Sequence, residues 1–84
     1  VVLDYNENTK IATIEQRNYF KKGDIVEFFG PDKINTYQVN EIYDEDNNLI
    51  EIVRHPKQIV YLKTNFKLNK NDLMRIKVDK WKKI

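Results

Sequence analysis

Apolar and polar positions alternate in short runs along most of this chain, and the alternation repeatedly breaks at turn-forming residues. Residues 1–5 read as a strand and Asn6-Glu7-Asn8-Thr9 as a turn, because asparagine tolerates left-handed geometry and bonds its own backbone. Residues 10–16 return, with Ala12 and Ile14 on one face and Thr13 and Glu15 on the other. The segment 20–24 then turns on Gly23, which takes positive φ without steric cost, and a hairpin with a glycine bulge is expected there. Val26 and Phe28 share the next inward face.

Gly30-Pro31-Asp32-Lys33 breaks the chain again. Residues 34–43 form one long strand pattern in which Tyr37 and Val39 are in phase and Ile42 is not, so a bulge near Asn40 and Glu41 is expected. Residues 44–48 turn, and residues 49–54 return with Ile50 and Ile52 inward. His55-Pro56-Lys57 interrupts, because proline cannot donate to a ladder, and residues 58–63 make a further strand. Residues 64–72 are polar with two apolar anchors, Phe66 and Leu68, and read as a loop or an irregular strand. Met74, Ile76 and Val78 then alternate with Arg75 and Lys77. No stretch carries a helical period or an internal repeat. About seven short strands with regular turn signals predict a small antiparallel β-barrel or a sandwich.

Length and composition narrow the picture. Eighty-four residues make one domain, expected to span 1–79, with a basic tail at 80–84. A chain of this size buries roughly 60–65% of its unfolded surface, enough for one modest core. The first residue is Val1, which suggests a fragment of a longer protein or a processed one. No apolar run nears the ~18 residues of a membrane helix, and no leader pattern is visible. No membrane partner and a cytoplasmic location are expected. The chain has neither cysteine nor serine and a single histidine, His55, so thiol chemistry is excluded and a hydroxyl triad would have to use a threonine.

The net charge of +2 conceals an asymmetry. Residues 1–53 carry five Lys or Arg against eleven acids, a balance of −6; residues 54–84 carry ten against two, a balance of +8. Either the basic half forms one face for a polyanion or acidic partner, or strand interleaving mixes both halves over one surface. Trp81 among Lys77, Lys80, Lys82 and Lys83 combines a stacking ring with phosphate-neutralising cations. Equally, that ring can fold back and leave a solvated tail. Lys63, Lys67 and Lys70 around Phe66 repeat the combination more weakly, and Arg75 completes the candidate polyanion set.

Other motifs carry less. Asp44, Asp46 and Asn48 have the spacing that opens a calcium loop, but Leu49 stands where glycine is needed and His55 where the closing glutamate is needed. An acidic hairpin turn is expected instead. His55 lacks a second histidine to share a metal and reads as a turn residue before proline. Gly23-Asp24 is too short for a phosphate cradle. No metal, cofactor or catalytic residue is expected.

Arg17-Asn18-x-Phe20-x-x-Gly23-Asp24-x-Val26-Glu27, then Ile50-x-x-x-x-His55-Pro56-x-Gln58, then Asp72-Leu73-x-Arg75, resembles in order the C-terminal domain of the collagenase-like peptidase family U32. The resemblance runs from about Val1 to Arg75. It implies a small antiparallel barrel similar to the second domain of elongation factor Tu. It also implies that the reaction belongs to a large N-terminal catalytic domain with cysteines, absent here. Family members are described either as proteases acting on collagen-like substrates or as proteins of RNA-base hydroxylation, including tRNA uridine. The implied role is an accessory one: assisting the binding of RNA or protein substrate, or packing against the catalytic domain or a second copy as a homo-oligomer. Phe29 and Tyr43, apolar and exposed in pattern, suit the packing role.

Overall fold

A computed structural model of the chain describes residues 1–17, 19–31 and 33–77. It is all-β and antiparallel. The strands are β1 (Val2–Asn6), β2 (Ile11–Glu15), β3 (Phe20–Lys21), β4 (Ile25–Gly30), β5 (Lys33–Gln38), β6 (Ile42–Tyr43), β7 (Leu49–Ile50), β8 (Ile52–Val53), β9 (Ile59–Lys63) and β10 (Leu73–Ile76). The described residues therefore form ten strands where about seven were expected. They divide into a five-stranded sheet ordered β1-β2-β9-β6-β7, a three-stranded sheet ordered β10-β4-β5, and the pair β3-β8. Hydrogen bonding does not close these into one continuous ring among the described residues.

The extra strands have a common cause: the chain changes sheet where the pattern changes phase. The expected bulge at Asn40 and Glu41 is a break between β5, in the three-stranded sheet, and β6, in the five-stranded one. Ile42 is buried because it starts a strand on a different wall. The expected continuous return 49–54 likewise breaks at Glu51. Ile50 pairs with Ile42, but β8 pairs with β3, and Val53 rather than Ile52 is the fully buried residue. Strands that switch sheets at such corners are how packed sheets enclose one core.

The turn at Gly23 is a third corner. Gly23 has φ 93°, as expected, and the Asp24 N–H donates to the Lys21 carbonyl at 3.1 Å. Yet β3 and β4 do not pair with each other, so no hairpin forms. Instead Lys22 N–H donates to Glu51 O at 2.8 Å and Gly23 N–H to Val39 O at 2.9 Å, tying the corner to the two other crossing points. The turn after β1 runs one residue further than expected: Lys10 has φ 61° and closes it through an N–H bond of 2.7 Å to Asn6 O.

One core sits between the sheets. The five-stranded sheet contributes Val2, Ala12, Ile14, Ile42, Val60 and Leu62; the three-stranded sheet contributes Val26 and Phe28; the pair contributes Phe20 and Val53. Each of these Val, Ile, Leu and Phe side chains, fully buried, stabilises the fold by about 1.5–3 kcal/mol, and Ala12 by less. Residues 64–72 form the loop allowed for in the sequence, and they close one end of the core. Leu68 is fully buried, and the Phe66 ring meets Phe28 at 6.1 Å and Tyr37 at 6.0 Å in edge-to-face contacts. Among the described residues no helix is long and apolar enough to cross a membrane.

Candidate nucleic-acid interface

The 64–72 loop is fixed by local chemistry, and that rigidity positions its cations. Tyr37 donates its hydroxyl to Lys63 O at 2.7 Å, and burial, opposed by an Asn40 N–H bond, pushes that phenol up. The Thr64 hydroxyl, itself buried, donates to Phe66 O at 2.8 Å. At the other end Asp72, 4% exposed, accepts the Asn69 N–H at 2.9 Å, and Asn71 takes φ 76°. With Phe66 and Leu68 pointed inward, Lys67 and Lys70 project into solvent.

Chain pairing brings further groups to the same end. The Thr64 N–H donates to Lys10 O at 2.9 Å, and the Lys33 ammonium donates to Lys67 O at 3.1 Å. A concavity of about 310 Å³ is lined by Tyr5, Glu7, Lys10, Asn65, Phe66 and Lys67. Tyr5 and Phe66 are half-buried there. The Lys67 ammonium lies 2.9 Å from Glu7, whose hydrogen bond and charge raise its pKa. Lys10, Lys33 and Tyr5 escape a reading of local spacing because strand pairing, not sequence proximity, delivers them.

The other candidate cations go elsewhere. Lys63 ends β9 on the outer face of the five-stranded sheet, in a groove it shares with Glu41, Asp44 and Glu45. Arg75 lies on the outer face of the three-stranded sheet, 2.8 Å from Glu27, with its guanidinium 5.0 Å from the centre of the Phe29 ring. Lys77 follows β10, and its N–H donates to Ile25 O at 2.8 Å. Lys80, Trp81, Lys82 and Lys83, with Val78, lie outside the described residues. The described members of the candidate polyanion set, Lys63, Lys67, Lys70, Arg75 and Lys77, thus occupy three regions. Two of them, Lys67 and Arg75, pair with carboxylates of the acidic half.

The sequence profile of the C-terminal domain of peptidase family U32 matches residues 1–75. This chain belongs to that family. It is 49% identical over 76 residues to tRNA hydroxylation protein P1 of Bacillus subtilis (strain 168), covering 89% of this chain and 18% of that protein's length. It is also similar to the crystal structure of the C-terminal domain of a U32 peptidase from Geobacillus thermoleovorans: TM-score 0.87 and 45% identity, covering 92% of this chain and 88% of that one. The selenomethionine form of that domain gives 0.84 and 47%, covering 88% and 92%. The profile match takes in Lys63, Lys67, Lys70 and Arg75, and stops short of Lys77 and the tail lysines.

The other motifs that the sequence singled out form turns in this U32 domain. His55 begins a turn in which Gln58 N–H donates to His55 O at 3.1 Å, with Pro56 and a positive-φ Lys57 in the centre, the geometry of a type II turn. Buried Gln16, with its amide oriented to satisfy both ends, donates to His55 O at 3.2 Å and accepts Tyr19 N–H at 3.1 Å. The Asp44 carboxylate accepts the N–H groups of Asp46 and Asn48, each at 2.9 Å, which makes it a turn cap. No three His, Cys, Asp or Glu side chains converge to hold a metal among the described residues.

Proposed function

We propose that this domain is a non-catalytic accessory part of a larger U32-family protein and helps its catalytic domain hold an RNA substrate. One observation carries the reading: Lys10 and Lys67 stand beside the half-buried rings of Tyr5 and Phe66, with Lys70 exposed further along the same loop and Lys33 bridging the Lys67 carbonyl and the Asp72 carboxylate. Cations neutralise phosphates and rings stack bases, which together suit an unpaired strand. The Lys67–Glu7 pair is solvent-exposed on both sides, so phosphate competes with it readily. The name of the Bacillus subtilis relative supports tRNA as the RNA. The reading includes a cytoplasmic location and a parent whose reaction is RNA-base hydroxylation rather than proteolysis. It also includes the likeness to the second domain of elongation factor Tu, with which three antiparallel sheets around one core are compatible.

Titration of labelled tRNA at low and moderate salt tests the reading. The affinity is expected to fall steeply as salt rises, because bound phosphates release counterions. Lys67→Glu combined with Lys70→Glu is expected to weaken binding at low salt about tenfold or more. Absence of binding at low salt would sink the idea for this domain acting alone.

A second reading, packing against the catalytic domain or a second copy, has its own support. Cross-strand register sets Leu73, Phe29 and Ile34 in one row on the outer face of the three-stranded sheet. Leu73 is 49% and Ile34 63% exposed, a costly arrangement for a face meant to stay in water. Sedimentation of the chain alone, and co-expression with the catalytic domain, distinguish the two partners. A monomer that ignores that domain rules both out.

A further inference from the structure

The outer face of the five-stranded sheet holds a larger concavity that the RNA reading leaves unused. Register places Tyr43 between Leu49 and Tyr61 in one row, and Ile11 opposite Lys63 in the next. The resulting open groove, about 580 Å³, has Ile11, Tyr43 and Tyr61 in its floor and walls and Glu41, Asp44 and Glu45 around it. Two of the three carboxylates are held in place. Tyr43 donates its hydroxyl to Glu41 at 3.0 Å, and Asp44 is clamped by two backbone N–H groups. Among the described lining residues Lys63 is the one cation.

Fixed anions beside tyrosine faces repel phosphate and favour an organic cation. A guanidinium or ammonium can lie against a tyrosine ring and bond a carboxylate at once. Its aliphatic stem covers apolar surface of the kind Ile11 and exposed Leu49 provide. A compact inorganic cation, held by its hydration shell, gains little from the rings, and no group of three metal-holding side chains lies among the described residues. We infer that this groove binds an extended polypeptide segment carrying arginine or lysine. The inference stands on charge complementarity at this face and does not depend on RNA binding at the 64–72 loop.

Amide chemical-shift mapping on the full chain tests it, with a short peptide alternating arginine and leucine as probe. A peptide with glutamate in place of arginine and a single-stranded RNA oligonucleotide serve as the other arms. The arginine peptide is expected to shift Ile11, Tyr43 and Tyr61 and to leave the 64–72 loop unmoved. Glu41 and Glu45 are exposed, so Glu41→Lys with Glu45→Lys is expected to keep the native spectrum and weaken the peptide by about tenfold or more. Shifts at Tyr43 and Tyr61 caused equally by the glutamate peptide or the RNA would overturn the inference. So would unchanged affinity in the double variant, or no shifts with the arginine peptide. If the double variant loses its native spectrum, high salt on the wild-type chain replaces it: retained affinity there would overturn the inference, and lost affinity would support it.

Discussion

Two glycines carry opposite kinds of constraint. A Cβ built on Gly23 meets nothing within 4 Å, so the only obstacle to a side chain there is the positive φ. Gly23→Ala is expected to destabilise the domain by about 1 kcal/mol, read by denaturant melting. Gly30 is the reverse case: its Cβ would stand 2.6 Å from an Asp72 carboxylate oxygen. Asp72 cannot retreat, since it is buried, caps Asn69, and accepts Val2 N–H on its own carbonyl at 2.8 Å. Gly30→Ala is expected to cost about 2 kcal/mol, and the cost should shrink in an Asp72→Ala background if that oxygen is the obstacle. The requirement at Gly23 could be read from the turn around it. The requirement at Gly30 could not, because it comes from a residue far along the chain that β10 brings against β4.

At the scale of elements, the Lys21–Asp24 corner and the 64–72 loop each invite a test. Partial burial pushes the Asp24 carboxyl up, but its bonds to the Lys21 ammonium and N–H, with the lysine charge, outweigh this and leave it below the ordinary value. A depressed carboxyl stabilises the fold above its unfolded pKa, and that stability disappears as pH falls through the folded value. Acid melts below about pH 4 should therefore be shallower in Asp24→Asn than in the wild type. Phe66→Ala opens the three-ring cluster with Phe28 and Tyr37 and is expected to cost about 2–3 kcal/mol, with the loop amides losing exchange protection first. Alternation revealed β2, β9 and β10 because each keeps one face inward for its whole length; β1 slips phase at a bulge between Val2 and Asp4 and was legible only from its apolar start and the turn after it. It misread β5 to β8, because a phase slip looks the same whether a strand bulges or leaves for another sheet. Only the pairing partner distinguishes these, and pairing is not written locally.

At the scale of the whole molecule, the opposite charges of the two halves of the chain become neighbours. Lys67 meets Glu7 and Arg75 meets Glu27. The candidate site was therefore half visible: Lys67, Lys70 and Phe66 stand close in sequence, whereas Lys10, Lys33 and Tyr5 join them only after folding. What remains polarised is the arrangement by location, lysines around the loop end and carboxylates around the tyrosine groove. The interleaving has a mechanical outcome as well. Strands β2, β3, β4 and β6 precede or form the 44–48 turn, and their partners β9, β8, β10 and β7 follow it. A protease that nicks the exposed tip at Asp46 and Asn47 leaves two pieces, neither of which retains a complete sheet. Each piece holds the missing strands of the other, so the severed protein stays clasped as a two-part particle until denaturant pries it open.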